Sequence, residues 1–148
     1  MSNKPSTVLD ARALDRTLRR MADQIIELNA GTEGLVLVGI QRGGMPLAVK
    51  LGEILCGIVN HPIPVGSLDV NMHRDDLDQR AAPRIHPTDI TFDVNGRTVV
   101  LVDDVLFSGR TIRAAMDSLN DFGRPRRIQL AVLIDRGHRE LPIKADFV

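Results

Sequence analysis

Two adjacent acids, Asp103 and Asp104, directly follow a hydrophobic run and are the residues with the clearest chemical potential in this sequence. After them, Ser108, Gly109 and Thr111 form a turn of small residues that opens a helical pattern. The hydroxyls and backbone N–H groups at a helix start suit a phosphate dianion. The carboxylates cannot bind that phosphate, but they can accept hydrogen bonds from paired sugar hydroxyls. The segment therefore predicts a site for a phosphorylated sugar. The alternative is that Ser108 or Thr111 merely caps the helix.

Two other segments carry residues that can bind anions. In the turn Gln41-Arg42-Gly43-Gly44 the glycines permit a ligand to approach the backbone closely, and Arg42 supplies a guanidinium. The alternative is an ordinary helix-entry turn with a solvated arginine. The segment His73-Arg74-Asp75-Asp76 is, by itself, typical of a solvated run of charges.

These segments must be positioned by alternating helices and strands. Hydrophobic spacing predicts helices at 10–28, 47–58 and 112–122, and strands at 34–40, 64–70, 97–102 and 128–134. Strands that are apolar on both faces and alternate with helices indicate an α/β fold, a parallel sheet covered by helices with right-handed crossovers. In such a sheet ligands bind beyond the carboxyl ends of the strands, which is where the acidic pair and the glycine turn lie.

The length of 148 residues favours a single domain over 1–148. Residues 71–95 contain breakers and many charges without an apolar period, so we expect a flexible loop there. No run of residues is apolar enough to span a membrane, and the first ten residues lack the order of a signal peptide. The single cysteine, Cys56, suits a reducing compartment, and we expect a cytoplasmic protein.

The composition also limits nucleic-acid binding. Lys plus Arg and Asp plus Glu both number 19, so no overall field attracts polyanions and any phosphate site must be local. Aromatic residues make up 3% of the chain, which excludes a wide base-stacking platform.

The segment 99–111 resembles the phosphoribosyl-diphosphate (PRPP) signature of type I phosphoribosyltransferases. More narrowly, the chain is similar over nearly its whole length to the family of bifunctional pyrimidine-operon regulators and uracil phosphoribosyltransferases. The stretches that carry this narrower resemblance occur in the family's order and are 38–40, 74–77, 122–125 and 133–143.

The resemblance implies transfer of a phosphoribosyl group from PRPP to uracil, giving UMP and diphosphate, with Mg²⁺ carried on PRPP oxygens and no metal ligand from the protein. It assigns the ribose hydroxyls to Asp103 and Asp104, and it places Arg74, on a lid, near the leaving diphosphate. Arg136 becomes a substrate contact. The expected diphosphate loop is Gln41, Arg42 and Gly43, and the expected 5-phosphate loop is Val105, Leu106, Phe107, Ser108, Gly109, Arg110 and Thr111.

A second hypothesis is an RNA-binding regulator that senses uridine nucleotides in the same pocket, and both functions can hold together. The resemblance implies UMP-dependent binding to the leader mRNA of pyrimidine genes by a homodimer or higher homo-oligomer, with Arg20, His138 and Lys144 as RNA contacts. Asp23 would repel phosphate. The supporting charges are Arg19, Arg20, Arg124, Arg126, Arg127, His138, Arg139 and Lys144, and the alternative is scattered solubilising charge.

Two further alternatives concern the reaction itself. A phosphoribosyltransferase for a purine or for orotate would share the PRPP signature, and a regulator could have little catalytic activity. Members of the family continue past the position of Val148, so we expect residues 1–148 to bind uracil weakly.

Overall fold

The computed structural model describes residues 10–41, 43–70, 90–106, 109–135, 137, 140 and 142–148. Helices and strands alternate along this part of the chain except that the third strand directly follows the second, which is the order that the hydrophobic spacing predicts. The helices are α1 (Ala11–Asn29), α2 (Gly44–Val59) and α3 (Arg110–Leu119), and a short 3-10 helix (Asn120–Phe122) follows α3. The strands are β1 (Leu35–Ile40), β2 (Val65–Leu68), β3 (Thr98–Leu106) and β4 (Arg127–Asp135).

The strands form one sheet in the order β2-β1-β3-β4, and every neighbouring pair is parallel. This confirms the predicted α/β fold. The C-terminal residues run alongside β4, because Phe147 forms a parallel bridge with Ala131 and the N–H of Val132 donates to the carbonyl of Phe147 at 3.0 Å.

The sheet is covered by helices on both faces, which is why its strands are apolar on both sides. Along β3, Val100 and Val102 pack with α1 and α2, whereas Val99 and Leu101 pack with α3. The helix side chains that complete the first layer are Leu18, Met21, Ile25, Leu51 and Leu55, and those that complete the second are Ile112, Ala115 and Leu119.

Helix α1 begins and ends where the polar and small residues predict. The carboxylate of Asp10 accepts a hydrogen bond from the N–H of Ala13 at 2.8 Å, which caps the first turn. Ala30 adopts a left-handed conformation with φ of 54° and ends the helix.

Strand β3 is longer than predicted, and this changes the setting of the acidic pair. The predicted strand ends at Val102, but the ladder continues through the pairs Val105–Ile134 and Leu106–Asp135. The extension arises because β4 also runs to Asp135 and offers partners for the added residues. Asp103 and Asp104 therefore lie within the strand rather than directly after it.

Part of the expected loop at 71–95 is packed. Val94 is buried, and the carboxylate of Asp93 accepts hydrogen bonds from the backbone and the side chain of Asn95, both at 2.9 Å. Residues 71–89 lie outside the described residues. Of the helices that the structure describes, none combines the length and the apolar character needed to cross a membrane.

Candidate active site

The two adjacent acids of β3 have different surroundings. Asp103 is 8% exposed, whereas Asp104 is exposed to solvent. Each carboxylate folds back onto the strand: Oδ1 of Asp103 accepts from the N–H of Asp104, and Oδ1 of Asp104 accepts from the N–H of Val105, both at 2.8 Å. Both carboxylates are thereby held near the carboxyl end of the sheet.

The pKa of Asp103 is raised from 3.8 to about 7. The main cause is burial, which disfavours the charged carboxylate. The neighbouring carboxyl of Asp104 raises the pKa further, and the N–H of Asp104 acts in the opposite direction. Near neutral pH Asp103 therefore populates both protonation states, and it becomes ionised when hydroxyl donors or positive charge arrive beside it.

The turn between β1 and α2 packs directly against this pair. A Cβ on Gly43 would lie 2.6 Å from Cγ of Asp104, and a Cβ on Gly44 would lie 2.8 Å from the carbonyl carbon of Val102. Neither glycine has a positive φ, so it is the lack of space that requires them. The structure thus brings the predicted diphosphate turn and the acidic pair to one place.

Gln41 fixes the other side of this turn, because its N–H donates to the carbonyl of Leu68 at 2.9 Å. The next residue after Leu68 is Asp69, which is 3% exposed and which the sequence analysis did not single out. The sequence feature that could have identified Asp69 is an acid near the end of the apolar stretch 64–70. Asp69 adds a third carboxyl to the edge that carries Asp103 and Asp104.

Helix α3 begins at the same edge. Its N-cap is Gly109, with a φ of 94° that favours glycine, so Thr111 does not hold the capping position proposed as an alternative. The first N–H groups of a helix point out of its N-terminus and are suited to an anion. This arrangement fits the expected binding of a phosphate.

Two residues of the expected 5-phosphate loop belong to the strand instead. Val105 and Leu106 are paired with β4, and the Leu106 side chain is buried in the α3 layer. Their expected part in binding the 5-phosphate stays a prediction. Farther on, Nε of Arg110 forms an ion pair with Oε1 of Glu140, which joins the start of α3 to the segment after β4.

The basic residues expected to contact RNA are partly described. Nη1 of Arg20 on α1 donates to the carbonyl of Val148 at 3.0 Å, and Lys144 is exposed in the segment that leads to Val148. Asp23 is also exposed. Several expected site residues lie outside the described residues: Arg42, Arg74, Phe107, Ser108, Arg136 and His138.

Solved structures share this fold. The chain superposes on a hypoxanthine phosphoribosyltransferase of Trypanosoma cruzi with a TM-score of 0.68 and 21% identity, covering 91% of this chain and 74% of that one. A purine phosphoribosyltransferase from Pyrococcus horikoshii gives a TM-score of 0.66 and 24% identity, covering 93% and 81%. At this level of identity the likeness concerns the fold alone.

Relatives found by sequence have a much higher identity to this chain than these solved structures do. Residues 5–148 match the phosphoribosyl transferase domain family. The chain is 61% identical over 142 residues to the bifunctional protein PyrR of Roseiflexus sp. (strain RS-1), covering 95% of this chain and 78% of the relative. It is 52% identical over 149 residues to the bifunctional protein PyrR of Pelotomaculum thermopropionicum, covering 100% and 82%. The chain therefore belongs to the phosphoribosyl transferase domain family and, within it, to the bifunctional PyrR proteins.

Proposed function

We propose that this protein transfers the 5-phosphoribosyl group of PRPP to uracil, giving UMP and diphosphate, and that it regulates pyrimidine genes by UMP-dependent binding to their leader mRNA. The observation that carries the transferase is the contact between the Gly43 backbone and the Asp104 carboxylate. It supports a site at one edge of the sheet that combines the turn expected to bind the diphosphate, two carboxylates and the start of a helix.

Each part of this edge suits one part of PRPP. The carboxylates of Asp103 and Asp104 accept hydrogen bonds from the ribose hydroxyls, and the N–H groups at the start of α3 receive the 5-phosphate. The turn of Gln41, Arg42 and Gly43 receives the diphosphate, with Arg74 as a further cation.

In the transfer, the bond from the anomeric carbon to the diphosphate oxygen breaks, and a bond from that carbon to N1 of uracil forms as N1 loses its proton. Positive charge grows on the ribose as the first bond lengthens. The carboxylates of Asp103 and Asp104 stabilise that charge because the strand already positions them, and Asp103 is largely shielded from water. Catalysis rests on positioning and electrostatics, without a covalent nucleophile.

The donor set fits Mg²⁺ brought by the substrate. Within the described ranges, no group of three or more His, Cys, Asp or Glu side chains could hold a metal ion by itself. The ligands expected for Mg²⁺ are the diphosphate and ribose oxygens of PRPP, and the nearby negative charge of Asp103 and Asp104 favours a cation at this place without binding it directly. Bound there, Mg²⁺ would neutralise charge on the leaving diphosphate.

The choice of uracil rests on the resemblance to the family over the segment after β4, and we propose Arg136, which lies outside the described residues, as a substrate contact. The test is a panel of uracil, orotate, hypoxanthine and guanine with PRPP and Mg²⁺, monitored by release of diphosphate. Turnover with uracil alone supports the proposal. Turnover with a purine or with orotate instead would show that this base, and not uracil, is the substrate. The absence of turnover with every base would leave a regulator without catalysis.

The regulatory function is supported by the contact between Arg20 and Val148, which joins α1 to the segment containing Lys144. We propose that Arg20, Lys144 and His138 contact leader RNA and that a homodimer doubles this surface. Filter binding of leader RNA and of shuffled RNA, with and without UMP, tests it. Equal affinity for both RNAs, or indifference to UMP, would leave only the transferase.

A further inference from the structure

A second basic surface lies at the edge of the sheet opposite the candidate active site. Arg97 directly precedes β3, Arg127 is the first residue of β4, and Arg124 and Arg126 lie in the loop before it. Because β3 and β4 are parallel, their amino ends meet at one edge, while Asp103 and Asp104 lie toward the other. Four arginines are thus gathered away from the PRPP crevice.

Backbone hydrogen bonds hold the two loops that carry these arginines. The N–H of Gly96 donates to the carbonyl of Arg124 at 3.0 Å, and the N–H of Arg126 donates to the carbonyl of Arg97 at 2.9 Å. The N–H of Arg124 also donates to Oδ1 of Asn95 at 2.7 Å. The arginine side chains therefore emerge from one anchored piece of backbone, which lowers the entropic cost of binding several of them at once.

Among the described residues, the arginines of this surface are not paired with carboxylates. In the part of the chain that the structure describes, none of these arginines forms an ion pair, and the one side-chain hydrogen bond among them joins Nη2 of Arg126 to Oγ1 of Thr98 at 3.4 Å. Two exposed carboxylates lie close by, that of Asp93, which accepts from Asn95, and that of Asp121, so the four arginines leave the surface with a net positive charge. A chain with zero formal net charge thus has a concentrated cationic patch.

An aromatic ring adjoins the arginines in the sequence. Phe122, two residues before Arg124, is 40% exposed, whereas Phe147 is buried. Helical spacing predicts that Phe122 belongs to the apolar face of α3, but α3 ends at Leu119 and the chain continues as a 3-10 turn. The tighter turn has 3.0 rather than 3.6 residues per turn, so the apolar face is not continued. The exposed ring can stack on one base, a contact that an acidic peptide lacks.

We propose that the surface formed by Arg97, Phe122, Arg124, Arg126 and Arg127, here called the edge-arginine surface, binds an unpaired segment of RNA. The guanidiniums contact successive phosphates, and Phe122 stacks on one base. This inference rests on the proposed function as an RNA-binding regulator and adds a contact surface to it. Because the surface lies opposite the crevice, RNA can bind here while a nucleotide occupies the PRPP site.

The test compares salt dependence between matched variants. Arg124→Gln with Arg127→Gln removes two exposed charges whose side chains make no described hydrogen bonds, and Arg12→Gln with Lys50→Gln removes two exposed charges elsewhere. Filter binding is measured for leader RNA and for an unpaired U-rich oligonucleotide over a salt series. We expect the first variant to reduce the slope of log K against log salt by about one to two units, while the control leaves it unchanged.

The aromatic contact has a different signature. Phe122→Leu keeps an apolar side chain but cannot stack, so we expect affinity for the oligonucleotide to fall about fivefold to 100-fold with an unchanged salt slope. Thermal melting of each variant checks that the fold is retained. Polyglutamate serves as a competitor of similar charge, and we expect it to displace the oligonucleotide less effectively than poly(U).

The outcomes separate this inference from the regulatory function. UMP-dependent binding of leader RNA with an unchanged slope in the Arg124→Gln, Arg127→Gln variant would overturn the edge-arginine surface and keep the regulator. A reduced slope without preference for leader RNA or UMP would keep the surface and overturn the regulator. Equal displacement by polyglutamate would assign the surface to an acidic partner, and wild-type protein that binds no RNA would overturn both.

Discussion

The backbone of Gly43 lies directly against the carboxylate of Asp104, so close that a Cβ on residue 43 would be 2.6 Å from Cγ of Asp104. Period-two alternation along β3 places Asp104 on the same face as Val102, which packs with α2. The start of α2 and the acidic pair are therefore assembled by one packing contact. Substitutions at this contact report on the site and on the fold separately.

Gly43→Ala is expected to impair the transferase while leaving the protein folded. The added methyl displaces the Asp104 carboxylate, and loss of one positioned polar contact lowers kcat/KM by about 10²-fold to 10³-fold. Gly57→Ala is the matched control on α2, because a Cβ there meets nothing within 4 Å. Steady-state kinetics and thermal melting measure both variants. Wild-type kcat/KM in Gly43→Ala would show that the Gly43–Asp104 contact has no part in the reaction.

Gly44→Ala is expected to destabilise the fold itself. Its Cβ would press on the backbone of Val102, which is paired on both sides in the middle of the sheet and cannot move away as a side chain can. Overpacking of this kind costs about 1–3 kcal/mol of the free energy of unfolding. Urea denaturation measures it, again against Gly57→Ala. Equal unfolding free energies for the two variants would contradict the close approach.

The raised pKa of Asp103 predicts a stability that falls as pH rises from about 4 to 7. In this window the folded protein keeps the proton that the unfolded chain releases, so unfolding is increasingly favoured until the folded group is ionised as well. At about 1.4 kcal/mol per pKa unit, the loss is on the order of 4 kcal/mol. Urea denaturation at pH 4.5, 6 and 8 measures it.

Asp103→Asn is the companion variant for this pH dependence, because the amide does not titrate. We expect its free energy of unfolding to vary less with pH over the same range. Asp104→Asn should lower the pKa of Asp103, because it removes a like charge, and should therefore narrow the pH range over which stability falls. An identical pH profile in wild type and Asp103→Asn would refute the assignment.

Asp103→Asn with Asp104→Asn is expected to abolish transfer, with a loss of roughly 2–4 kcal/mol of transition-state stabilisation per polar contact.

Charge removal beside the C-terminal residues tests the proposed RNA contacts. Lys144→Gln is expected to reduce the salt slope of leader RNA binding by about one unit, and Arg20→Gln by a similar amount. Asp23→Asn is the opposite change on α1 and should strengthen binding because it removes a charge that repels phosphate. Filter binding with UMP over a salt series measures all three, and equal slopes in wild type and Lys144→Gln would remove that residue from the RNA surface.

Phe147 anchors the C-terminal residues to the first core layer. It is 3% exposed and packs with the side chains of α1 and α2, so Phe147→Ala is expected to cost about 3–5 kcal/mol of the free energy of unfolding. Val148→Ala is the control, because Val148 is 43% exposed and its loss should be nearly neutral. Comparable losses in the two variants would show that the segment is not packed as described.

The local pattern of the sequence determined the alternation of helices and strands and the positions of the glycine turn and the acidic pair. Helical spacing from Leu18 to Ile25 and the apolar runs of β1 and β3 are encoded by neighbouring residues, so they can be read without knowledge of the rest of the chain. The parallel sheet followed from strands that are apolar on both faces. The PRPP segment followed from its resemblance.

Contacts between distant residues were decided only by the tertiary structure. The approach of Gly43 to Asp104, the burial that raises the pKa of Asp103, and the joining of Arg97 to Arg126 each depend on which strands become neighbours. The length of β3 depended on β4, which supplied hydrogen-bond partners beyond Val102. Such contacts arise from the packing of the whole sheet and its helices, so they cannot be predicted from the residues that neighbour each position in the sequence.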